Sequence, residues 1–261
     1  MKRPTLSIGI PLCLLFLCIV IIPGSAGDAI RSQSAESLHN YRGSIGNIPI
    51  GLTLVSDRLI TDLSEFTGKV TGTYFYVKWL KDIDIRGTVD DERNFVFYEY
   101  DKAGNITGSF KGRFSKPGNE ELIGTWFRPD GTGGQPFHLA QESITSRVKG
   151  KGRYFDSGVE DDEAFEKIVQ QFRKAVIIGN KQVVADLINY PIGVTIAGKK
   201  RALTGRADVI ANYDRIFSHS CVEAIRGSVP HNMFANIDGV MFDNGVIWFG
   251  ADGKVIAINC N

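Results

Sequence analysis

Chemistry in this chain would have to come from a thin set of side chains. Four histidines, His39, His138, His219 and His231, are scattered without the His-x-x-His type of spacing that gathers a metal ion. No Gly-x-Ser-x-Gly nucleophile elbow and no glycine-rich phosphate loop appears. The four cysteines (Cys13, Cys18, Cys221 and Cys260) form no Cys-x-x-Cys pair. No metal and no cofactor is therefore expected.

The cysteines divide by position. Cys13 and Cys18 lie inside an apolar run from Leu6 to Ile22, preceded by Lys2 and Arg3 and followed by Pro23, Gly24, Ser25 and Ala26. A basic start, an apolar stretch and small residues at −3 and −1 make a secretory signal peptide, here residues 1–26, cut after Ala26. A cut after Ala29 is the weaker option. At about 17 residues the run is at the lower limit for a retained membrane span. Lipoprotein processing at Cys18 does not suit Leu15, Phe16 and Leu17 before it. The expected location is periplasmic or secreted, with no stable membrane anchor after cleavage. Cys221 and Cys260 then remain as an even pair in an oxidising compartment, which favours a disulfide. Closing a loop of about 40 residues would stabilise by up to ~4 kcal/mol on the loop-entropy model.

The chain of 261 residues carries 30 basic and 29 acidic side chains. With a formal charge of +1 it has no bulk field to draw it to nucleic acid.

Two hydrophobic periods organise the rest. From Tyr41 to about Gln141 the pattern alternates, most clearly in Ile106-Thr-Gly-Ser-Phe110-Lys-Gly-Arg-Phe114. Turn signals at Gly46-Asn47, Asp101 to Asn105, Lys116 to Asn119 and Pro129-Asp130-Gly131 punctuate it. The spacing predicts about eight short strands, near 41–46, 48–57, 68–79, 82–88, 94–101, 105–114, 121–127 and 135–141. Connections this short permit only antiparallel neighbours, so residues 38–145 form a meander, either a small barrel or a curled sheet. Aromatics fall on both faces of two strands (Tyr74, Phe75, Tyr76 and Trp79; Phe95, Phe97, Tyr98 and Tyr100). They supply a core on one side and a covered face on the other, in preference to a ligand cavity.

The charged stretch Glu142–Glu163 reads as a solvated linker, with the domain boundary inside 146–160. Beyond it the period is helical. Phe165, Ile168, Val169, Phe172, Val176 and Ile177 mark a first helix, and Lys181–Ile188 a second. Ile192–Ile196 reads as a strand. Thr204 stands at the N-cap of a third helix that runs to Phe217. Strands are then expected near 221–229, 234–242, 246–250 and 254–259.

This α+β order over about 160–261 resembles the NTF2-like superfamily, which includes ketosteroid-isomerase and polyketide-cyclase relatives. The residues that carry the likeness are Phe172-Arg-Lys-Ala-Val176, Asn189-Tyr-Pro-Ile192, Asn212-Tyr-Asp-Arg-Ile216 and Gly245-Val-Ile-Trp-Phe249. Similar phrases occur in bacterial exported proteins, some behind a β-rich domain that resembles a lipocalin or calycin. Gly124-Thr-Trp126 resembles the Gly-x-Trp phrase of lipocalins and avidins but stands late in the β half. It reads as a packed barrel tryptophan. The fold class expected is thus two domains: an N-terminal antiparallel β domain and, over 161–261, an NTF2-like α+β cone.

The resemblance implies a pocket inside the cone, with Tyr190, Tyr213, Asp214 and Trp248 as candidate binding residues and Asp208, His231 and Asp238 as further titratable candidates. None sits in a family motif that carries a catalytic role across. Tyr213 shares an apolar stripe with Ile210 and Phe217 and reads equally as core. Apolar concave interiors without a nucleophile point to a non-catalytic binding or interaction role. The ligand would be a small apolar molecule, a cell-wall fragment or an envelope protein. The alternative is an enzyme doing acid–base chemistry on an apolar small molecule in the cone. A homodimer through the C-terminal sheet is a further expectation.

Overall fold

A computed structural model describes residues 35–56, 67–115, 121–196 and 199–260. The proposed leader and its cleavage site lie outside these residues. No helix among them is long and apolar enough to cross a membrane.

Eight strands form a closed antiparallel barrel in simple up-and-down order. They are β1 (Ala35–Ile45), β2 (Ile48–Ser56), β3 (Gly68–Tyr76), β4 (Ile83–Val89), β5 (Asn94–Tyr100), β6 (Ile106–Phe114), β7 (Glu121–Phe127) and β8 (Gln135–Val148). β8 returns to β1, with Ile45 opposite Phe137 at one end and Ala35 opposite Val148 at the other. Closure removes the sheet edges that an open meander would expose. Alternation fills the interior with Tyr41, Leu52, Leu54, Tyr74, Phe97, Phe110 and Leu139, all at most 2% exposed. Each such side chain contributes about 2 kcal/mol by leaving water. Tight coiling needs glycine on the strands. At Gly87 a Cβ would fall on the Val96 carbonyl oxygen of the neighbouring strand.

The second region holds α1 (Asp162–Ile177), α2 (Lys181–Asp186), the hairpin β9 (Ile192–Ile196) and β10 (Lys199–Leu203), α3 (Arg206–Ile216) and α4 (His219–Gly227). A four-stranded antiparallel sheet ends the chain: β11 (Phe234–Asn236), β12 (Gly239–Phe242), β13 (Ile247–Phe249) and β14 (Val255–Ile258). Asp161 caps α1 by accepting from the Ala164 amide at 2.9 Å. The helix buries Phe165, Val169, Phe172 and Val176 against Phe249 and the rest of a second core. The segment before β9 is stitched to β14 by Asn189 N–H to Val255 O (2.9 Å) and Val255 N–H to Leu187 O (2.8 Å).

Four expectations need correction. The strand expected at 221–229 is helix α4. Ser218 caps it by accepting from the Cys221 amide, and Cys221 and Ile225 share its buried face at a four-residue step. Thr204 is not the cap of α3; Gly205 is, while the Thr204 amide and hydroxyl both donate to Asp208 Oδ2 at 2.9 Å. The strand expected over 234–242 breaks at an exposed turn, Ile237–Asp238, into β11 and β12. The stretch read as a solvated linker is anchored at both ends. β8 continues to Val148, and beyond it Tyr154 (0% exposed) and Val159 (3%) join the second core.

Cys221 and Cys260 form a disulfide with Cα atoms 5.3 Å apart, tying α4 to the segment after β14.

Candidate functional site

The β3–β4 and β5–β6 hairpins rise around one mouth of the barrel. Between them lies a cavity of about 560 Å³. Its wall is aromatic: Tyr76 ends β3, Tyr100 ends β5, and Trp79 projects from the tight turn after β3. Trp79 is 58% exposed, and its ring meets Tyr76 edge-on at 5.1 Å. A large indole left this open at a cavity rim is the kind of surface that ligands cover.

The floor of this mouth is Glu99. Strand alternation turns it inward with Phe95 and Phe97, and it is only 6% exposed. The Tyr74 hydroxyl donates to its Oε2 at 2.5 Å, and the Trp126 indole N–H donates to the same oxygen at 3.1 Å. Gly108 opposite makes the arrangement possible. A Cβ there would stand 2.7 Å from Glu99 Cδ and 2.8 Å from Trp126 Nε1. Burial, followed by the nearby Glu99 charge and its hydrogen bond, holds the Tyr74 hydroxyl well above the usual tyrosine range, so it stays a donor. Among the described residues no cationic side chain pairs with Glu99, and its Oε1 has no hydrogen-bond partner.

A second cluster joins the barrel to the α+β region. His231, 4% exposed, places Nδ1 2.5 Å from Glu166 Oε2 on α1 and Nε2 3.0 Å from Asp82 Oδ1 before β4. Arg153 donates to Asp82 and lies 3.7 Å from Glu166. Its own amide donates to Asp162 Oδ2 at 2.7 Å. The Tyr154 hydroxyl donates to Glu166 Oε1 at 2.7 Å and accepts from the Met233 amide at 3.1 Å. Phe75, on the outer face of β3, packs edge-on to the imidazole at 4.3 Å. Asn232 then donates to Thr53 Oγ1 at 2.7 Å, and Thr53 donates to Asn40 Oδ1 at 2.8 Å.

The electrostatics of the cluster are self-consistent. Burial alone would lower the His231 pKa, but the hydrogen bonds to Asp82 and Glu166 outweigh it and raise the value above 6.5. Burial would raise Asp82; the hydrogen bond to His231 and the Arg153 charge instead hold it down at about 2. Both imidazole nitrogens face carboxylates. The cluster therefore holds two parts of the chain together instead of presenting a free base.

The four cone candidates are not gathered around one cavity. Tyr213 is buried, with its hydroxyl 3.3 Å from Val176 O and its pKa pushed up to about 12 by burial and by Asp214. Asp214 is exposed and pairs with Lys181 at 2.8 Å, and that ammonium also stands 5.2 Å over the Tyr213 ring. Tyr190 donates to Ala185 O at 2.8 Å. Trp248 lies between Ile247 and Phe249, both wholly buried, and so faces away from the core that holds Tyr213. Asp208 serves Thr204, and Asp238 belongs to the β11–β12 turn.

Sequence reasoning missed Glu99, Glu166 and Asp82. The first two occupy inward positions of a strand and a helix, where an acid breaks the hydrophobic pattern; that break was the available signal. Comparison with family models, with curated proteins and with solved structures gives no match to this chain.

Proposed function

We propose that this chain is an exported binding protein that holds a small apolar molecule at the mouth of its β-barrel without converting it. The observation that carries the reading is the cavity of about 560 Å³ walled by Tyr76, Trp79 and Tyr100. That volume lies in the range of small-molecule sites, and its aromatic wall with one polar group at the base is their usual chemistry. Export rests on the basic-apolar-small pattern of residues 1–26 and agrees with a disulfide between the two remaining cysteines.

In this reading the α+β half is an NTF2-like brace. Two features support that kinship: the helix–helix–hairpin–helix order, and the strand neighbourhood β10-β9-β14-β13-β12-β11 implied by the stitching of the β9 approach to β14. The histidine that could have served as an acid–base group is engaged by Glu166 and Asp82. This favours binding over the enzyme alternative.

The test is native mass spectrometry of the mature, non-reduced protein purified from its own host. The expected result is a co-purified small molecule retained by Tyr213→Ala and Trp248→Ala and lost with Trp79→Ala. Loss with Tyr213→Ala or Trp248→Ala and retention by Trp79→Ala would move the ligand to the cone and overturn the proposal.

A further inference from the structure

The barrel-mouth reading leaves one group unexplained. Glu99 is more than nine-tenths buried, yet both of its hydrogen bonds come from neutral donors and both fall on Oε2. Taking a carboxylate out of water is costly unless a cation or a full set of donors compensates. The buried Glu166 shows how the same chain handles the problem elsewhere: it sits among His231, Arg153 and Tyr154. Glu99 has no such escort, and it lines the cavity.

Resting on the binding role of the barrel mouth, we infer that the ligand is an amphiphilic amine, its ammonium seated at Glu99 Oε1 and its apolar body against Tyr76, Trp79 and Tyr100. Three features converge on this class. The cavity lining bears four carboxyl groups (Asp82, Asp84, Glu99 and Asp101) against two lysines (Lys81 and Lys102), so its local charge is negative although the whole chain is near neutral. Its wall offers aromatic faces, which attract cations through the ring quadrupole. The Lys78 ammonium already stands 5.6 Å over the Trp79 ring, which shows that the indole accepts such a neighbour. Finally, Tyr74 and Trp126 fix the carboxylate by its other oxygen, so that Oε1 needs no rearrangement to receive a donor.

The experiment is calorimetric titration of the mature protein at neutral pH with three probes of one chain length: decylamine, decanol and decanoate. The amine is expected to bind at least tenfold more tightly than the alcohol, and decanoate more weakly than either. In Glu99→Gln the amine should fall to the affinity of the alcohol, with alcohol binding unchanged. Trp79→Ala, a change at an exposed side chain, should weaken amine and alcohol alike. The wild-type series decides the matter even where Glu99→Gln does not fold. Equal affinity for amine and alcohol, both lost in Trp79→Ala, would overturn the amine assignment and leave the barrel-mouth site standing. Failure of all three probes to bind would overturn both.

Discussion

His231 Nε2 stands 3.0 Å from Asp82 Oδ1, a contact between residues 149 positions apart that joins the barrel to the α+β region. Asp82 also lines the barrel-mouth cavity, so the group that latches the two regions is part of the proposed binding surface. The latch is electrostatic, and its energetics can be tested by substitution and by pH.

Replacing His231 by Ala leaves Asp82 and Glu166 as partly compensated acids around Arg153. The expected loss is about 3 kcal/mol, in the range for breaking a buried pair from one side. Urea unfolding followed separately at Trp126 in the barrel and Trp248 in the sheet measures it. Transitions of wild type and variant that coincide would show that the latch contributes nothing.

The pH dependence of the latch has a definite sign. His231 has its folded pKa above 6.5, so its contribution is complete below that value and is lost as pH rises through the folded pKa. Asp82, held at about 2 against an ordinary 3.8, contributes above 3.8 and loses that contribution as pH falls through 2. Stability from the latch is therefore greatest between about pH 4 and 6.5. Urea midpoints at about pH 6 and pH 8 should differ more in wild type than in His231→Gln.

His39 works in the opposite direction. It is wholly buried opposite Leu54 on β2, and burial lowers its pKa to about 4. The unfolded chain takes up the proton at 6.5 while the folded chain refuses it until about 4, so stability falls as the medium is acidified across that interval. The loss amounts to about 3 kcal/mol at most. His39→Gln should flatten this acid limb; an unchanged limb would assign it to other groups.

Gly108→Ala tests the floor of the mouth. The added methyl would press on Glu99 and on the Trp126 indole. The expected cost is about 1–3 kcal/mol, as for overpacking a filled core. The Trp126 fluorescence should shift as its hydrogen bond to Glu99 Oε2 is lost. An unshifted spectrum would mean that the bond survives the methyl.

The disulfide closes a loop with a sequence separation of 39, and reduction should cost about 3–4 kcal/mol on the loop-entropy model. Thermal unfolding with and without reductant measures it. Intact mass, two hydrogens below that of the reduced chain, verifies the bond.

The sequence by itself determined the elements whose signal is local. Eight alternating runs between turn signals became eight strands, as in Ile106–Phe114, because a half-buried strand needs an apolar side chain at every second residue. The apolar steps from Phe165 to Val176 became α1 for the equivalent helical reason. The cysteine pair was legible once the leader was set aside. Tertiary structure alone decided what depends on distant partners. Closure of the barrel is a pairing of β1 with β8, which nothing in either strand encodes separately. Cys221–Gly227 carries apolar residues compatible with a strand, and its cap by Ser218 and packing at Ile225 made it a helix. Glu99 and His231 look like ordinary polar residues in the chain. Only the fold buries them, giving one a set of charged partners and leaving the other with neutral donors alone, because burial and pairing are properties of neighbours in space.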